Sequence, residues 1–178
     1  MVKLRENRFR ICLVVAGMLA LSACQTTTGS GERNVEKMKR AIEQTLVGDD
    51  WSVGVEIIRR SHKNAYGDFM PWLKERARTF PPVYLYAMAD RMRKKDKVGT
   101  VKWYVAARVR HTYDLQRCTN SRAIHRLQLF EQRFHKSVFK YAAKNPDSAY
   151  EVALEGLEWD IDNASSTTQG QSHCFPEY

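Results

Sequence analysis

Apolar residues along this chain recur at helical intervals, and they almost nowhere alternate as a half-buried strand would require. The pattern begins with a basic start, Lys3, Arg5, Arg8 and Arg10. An uncharged apolar run follows at residues 11–21, too short to span a bilayer comfortably as a permanent helix. Residues 25–33 are rich in Thr, Gly and Ser and carry no apolar period, which predicts a flexible tether. Asn34 then caps a predicted helix whose stripe is Val35, Met38, Ile42 and Leu46, stopped by Gly48. Asp50 can cap a second helix, reaching about His62, with Trp51, Val55 and Ile58 on one face. A third is predicted to open at Asp68, with Pro71 in its first turn, and to run through Trp72, Leu73, Arg76 and Phe80. Pro81-Pro82 breaks it and starts the next, residues 83–94, on which Leu85, Ala89 and Met92 share a side.

After a polar turn at Lys94-Lys95-Asp96-Lys97, residues 98–117 read as a long helix carrying Val101, Val105, Val109 and Thr112. Residues 118–121 form the next break, with Ser121 as a cap. The strongest stripe follows: Ile124, Leu127, Phe130, Phe134, Val138 and Tyr141. Asn145-Pro146 ends it and begins an acidic helix on which Tyr150, Ala153, Leu154, Leu157 and Ile161 repeat with the helical period. The expectation is an all-α protein, an irregular bundle or short solenoid of about six or seven helices without substantial sheet. Its helical domain would cover residues 34–163, ahead of an irregular tail at 164–178.

The segment before the tether carries a specific pattern. Directly after the apolar run stand Leu21-Ser22-Ala23-Cys24. This resembles the lipobox of bacterial lipoproteins. It implies a cleaved signal at residues 1–23, a lipid-modified Cys24, and a protein on the periplasmic side of a membrane. Gln25 is not the aspartate associated with inner-membrane retention, so the resemblance implies the outer membrane. Two or three acyl chains, each burying methylenes at ~0.8 kcal/mol apiece, anchor stably where one would not. That compartment makes nucleic acid a poor partner. It also favours a disulfide between the two remaining thiols, Cys118 and Cys174, 56 residues apart, a closure worth roughly 4 kcal/mol. A metal site on His173 and Cys174 is the rival for those thiols, but no metal-ligand spacing accompanies it.

A second resemblance lies in residues 82–108, through Leu85, Tyr86 and Ala89, then Lys102-Trp103-Tyr104 and Ala106-Ala107. These look like a single Sel1-type or tetratricopeptide-like helical hairpin, lacking the usual Leu-Gly pair and with Thr100 where such repeats favour alanine. Small residues would let two helices approach, and Trp103 and Tyr104 would fill the groove beside them. Proteins with such repeats are mostly partner-binding scaffolds, and some with lipobox signals are immunity proteins against envelope-directed toxins.

Charge sharpens the expectation. From residue 24 to 144 the chain has 25 basic and 12 acidic residues; from 145 to 178 it has seven acidic residues and no Lys or Arg. Either the acidic end packs on the basic body, or a basic face is left open to an acidic partner. The expected face is Arg91, Arg93, Arg108 and Arg110 with Tyr84 and Tyr113, since aromatics and Arg dominate binding hot spots. Catalytic spacings are not evident. His62, His111, His125, His135 and His173 fall in no ligand motif, and no Gly-rich phosphate loop or serine elbow occurs. Glu155, Glu158, Asp160 and Asp162 could suggest paired carboxylates but read first as a solvated helix face. The functional expectation is a non-catalytic, lipid-anchored protein, without cofactor or metal, that binds an envelope protein or neutralises a toxin. A cell-wall turnover enzyme and a structural envelope component are the alternatives.

Overall fold

The computed structural model describes residues 28–47, 51–117, 125, 129, 132, 136 and 138–163. Among these residues helices are the only regular elements and there is no strand, so the fold is all-α. The signal segment, Cys24, Cys118, Cys174, His135, His173, and the stripe residues Ile124, Leu127, Phe130 and Phe134 lie outside the described residues. No helix among the described residues is long and apolar enough to cross a membrane.

Helix α1 is Thr28–Val47, six residues longer at its start than the Asn34 cap predicts, so residues 28–33 are helix rather than tether. Extending an existing helix fixes one residue per hydrogen bond, which even a Gly- and Ser-containing turn can sustain once a strong stripe has nucleated it. Val35 and Ile42 enter the core. Helix α2, Trp51–Arg60, buries Trp51, Gly54, Val55 and Ile58 and stops two residues before His62. His62 instead accepts from the Asn64 N–H through Nδ1 and caps a short 3-10 turn, Lys63–Ala65. Helix α3, Tyr66–Arg76, begins before Asp68 because that turn feeds straight into it, placing Pro71 in its second turn. A second 3-10 turn, Ala77–Thr79, carries the chain to the buried Phe80.

Helix α4, Pro82–Met92, starts on a proline, whose missing N–H costs nothing at a helix start. It is the centre of the molecule: every residue from Pro82 to Ala89 is buried. A helix without a polar face must be covered on several sides, and α2 and α5 flank it. Helix α5, Lys97–Arg117, is capped by Asp96, whose Oδ1 accepts from the Gly99 N–H at 2.7 Å. The α4–α5 hairpin is closed by small residues, Ala89, Ala106 and Ala107, all at most 1% exposed. Tyr104 packs edge-on to Tyr86 across it, and Trp103 turns outward onto Trp159 of the last helix. Thr100, buried, returns its hydroxyl to the Asp96 carbonyl.

Residues 138–142 form α6, and positions 125, 129, 132 and 136 are also helical. Helix α7, Pro146–Asn163, packs on α5. Here the structure departs from the apolar pattern. The buried positions are Ala149, Val152, Gly156 and Asp160, whereas Tyr150, Leu154 and Ile161 are exposed. The reason is closeness: a Cβ on Gly156 would stand 2.6 Å from the backbone oxygen of Lys102, so only a glycine face lets α7 seat against α5.

Candidate functional site

The six residues expected to share a basic face do not share one. Residues two apart on a helix point about 200° apart, which already separates Arg91 from Arg93 and Arg108 from Arg110. Arg91, half-buried, donates from Nε to Ser61 Oγ and from Nη2 to Ser61 O, both at 2.9 Å, while its guanidinium stands 5.2 Å from the Tyr66 ring centre. It ties α4 to the end of α2. Tyr84 is fully buried, its hydroxyl 2.6 Å from Thr45 Oγ1. Arg110 is only 5% exposed and pairs with Asp160 at 2.9 Å. The acidic last helix therefore covers that part of α5, and Tyr84 and Arg110 belong to the interior. Arg93, Arg108 and Tyr113 remain exposed.

What the fold does bring together is a cleft of about 390 Å³ between the α4–α5 turn and the end of α6. Arg93, Lys94 and Lys97 line it from the first segment, and Lys140 and Lys144 from the second, with no carboxylate in the lining among the described residues. The four lysines are unpaired among the described residues, while Arg93 stands 3.5 Å from Asp90. Its floor is apolar, Val101 and Val138, with Tyr141, Thr100 and Asn145 along the wall. Of the five cations the sequence pattern marks only Arg93 as a site residue, because the two lysine groups lie more than forty residues apart in sequence. Clusters such as Lys94-Lys95-Asp96-Lys97 signal only a polar turn until a second segment faces them.

A second exposed feature runs along α7. Tyr150, Leu154, Leu157 and Ile161 fall within about 60° of arc, and Tyr150 and Ile161 are 67% and 63% exposed. Glu151, Glu158 and Asp162 form an acidic ridge on one flank, while Glu155 on that flank reaches Lys102 at 3.5 Å.

The titratable groups of the interior are accounted for structurally. Burial raises the Asp160 carboxyl above its usual range, and the charge and hydrogen bond of Arg110 pull it back. Burial lowers His111 to about 4, so it is neutral in the fold; its ring meets Tyr86 edge-on at 6.0 Å. No group of three or more potential metal ligands occurs among the described residues. Of the four acids that could suggest glycosidic chemistry, Asp160 is withdrawn under Arg110 and Glu155 is held by Lys102.

Comparison with protein-family models, with curated proteins and with solved structures finds no match.

Proposed function

We propose that this chain is a non-catalytic, lipid-anchored helical protein, facing the periplasm from the outer membrane, that binds another protein through the outer face of α7. The observation that carries the proposal is the stripe of exposed Tyr150, Leu154 and Ile161 with half-buried Leu157 among them, turned about 120° round the helix from its packing face. Scattered exposed apolar residues are ordinary on any surface, but a contiguous line of them along three turns favours a docking site. Such a stripe fits an apolar groove on a partner, read at helical spacing. The acidic ridge of Glu151, Glu158 and Asp162 selects a partner whose groove is bordered by Lys or Arg, rather than the acidic partner that the net charge alone suggests. An envelope protein or an envelope-directed toxin would meet it there.

Acylated Cys24 would hold the domain close to the bilayer. Helix α1 begins at Thr28, four residues on, and four extended residues span at most about 14 Å. The partner would then be met at the membrane surface rather than deep in the periplasm.

The test compares full-length wild type with Leu154→Lys/Ile161→Lys, both extracted from membranes in mild detergent. Wild type is expected to bring down one partner, identified by mass spectrometry, that the variant loses while its melting temperature stays unchanged. Recovery of the same protein by both would remove α7 as the docking face.

A further inference from the structure

We infer that the cleft between the α4–α5 turn and the end of α6 is a binding site for a phosphate-bearing anion. Five cations surround one cavity of about 390 Å³, and among the described residues no carboxylate lines it. Of the acids of the neighbouring turn, Asp96 is engaged elsewhere and Asp90 answers only Arg93 among the five, which leaves the four lysines without a carboxylate among the described residues. Asp90 accepts from Arg59 at 3.0 Å and meets Arg93 at 3.5 Å; Asp96 caps Gly99 and faces Lys74 at 3.8 Å. Like charges gathered together repel one another, and an anion in the cleft relieves that repulsion.

The residue types select the anion. A carboxylate is best met by the planar fork of Arg, whereas lysines are point charges that can converge on a phosphate from several directions. Four of the five cations here are lysines. A second feature adds to the same field. Helix α7 opens at the edge of the cleft, where the Ala149 N–H makes its first bond to the carbonyl of Asn145, a lining residue. The positive end of an eighteen-residue helix there favours an anion. The volume exceeds that of a bare phosphate, and the apolar floor of Val101 and Val138 can take the carbon portion of a phosphate ester. Two sources share this chemistry, the headgroup of an anionic phospholipid and a soluble phosphate monoester.

The experiment uses full-length, isotope-labelled protein in a non-ionic detergent and follows the amide resonances of Val101 and Tyr141. The probes are dihexanoyl-phosphatidylglycerol, glycerol 3-phosphate and, as the carboxylate control, glutarate. Saturable shifts with one or both phosphates are expected, at affinities at least about tenfold tighter than glutarate's, a gap of roughly 1.4 kcal/mol. Binding to the lipid alone identifies a headgroup site, and binding to glycerol 3-phosphate identifies recognition of the free ester. Lys97→Glu/Lys144→Glu, both at exposed positions, should weaken binding at least about tenfold with an unchanged melting temperature. Equal affinity for glutarate, no saturable shift with either phosphate, or a variant that binds as wild type would each overturn the inference. None of these outcomes touches the α7 proposal, which is read by partner recovery.

Discussion

Arg110 and Asp160 meet where neither has water to fall back on. Beyond its bond to Asp160, Arg110 donates from Nη1 to the carbonyls of Phe80 at 3.1 Å and Ala77 at 3.4 Å, and it lies 5.2 Å from the Trp159 ring centre. One side chain thus joins α5, α7 and the approach to α4. Taking two charges out of water is expensive, so the intact pair is worth little more than an apolar pair of the same volume, while losing one partner is costly. Asp160→Ala, which leaves the guanidinium buried without its counter-charge, should cost roughly 3–5 kcal/mol in urea denaturation. Arg110→Met/Asp160→Leu should recover most of that loss; a single variant within about 1 kcal/mol of wild type would show that water reaches the site. His111 supplies a pH dependence of known sign. The unfolded chain binds a proton near 6.5 and the folded chain only near 4, so between those values the unfolded state holds more protons. Stability should fall as pH drops through that window, by up to about 3 kcal/mol. Asp160, with its carboxyl raised, acts in the opposite sense at the lower end. His111→Leu should flatten the slope between pH 6.5 and 4.5 in denaturation series, and an unaltered slope would assign the proton uptake to another group.

At the scale of elements, the helices are legible in the sequence and the register of the last one is not. Pro82 marks the start of α4 as the dipeptide Pro81-Pro82 predicts, and α5 covers the long helix expected over residues 98–117. These signals are local: a missing N–H, a polar turn, a stripe. Helix α7 fails because its packing face is written in residues that hydropathy discounts, a glycine and an aspartate. Gly156 is buried because the Lys102 backbone is close, and Asp160 because Arg110 reaches it, and both partners lie fifty or more residues away. Tyr150, Leu154 and Ile161, the pattern's natural core, are left outside. Gly156→Ala tests this account. Alanine favours the helix by about 1 kcal/mol, but a Cβ 2.6 Å from backbone oxygen forces the two helices apart. A net loss of about 1–2 kcal/mol is expected in thermal or urea unfolding, and a stabilised variant would mean that α7 seats less closely.

Across the whole molecule, the uneven charge of the chain resolves into three parts. Part of the acidic end is neutralised internally, through Asp160 on Arg110 and Glu155 on Lys102. Part forms the ridge beside the α7 stripe, and five of the basic residues line the cleft. The expected arginine face could not be tested by composition alone, because net charge records how many cations exist and not which of them the fold buries. The proposed docking face on α7 and the proposed anion cleft use different residues, so one molecule could hold both ligands at once. The most direct test of docking places a photo-cross-linking residue at Leu154 of the full-length protein in growing cells. Glu75, exposed on α3, serves as the control position. Adducts to one foreign polypeptide from position 154 and none from 75 are predicted. The same adducts from both positions, or only adducts of the chain with itself, would contradict the account.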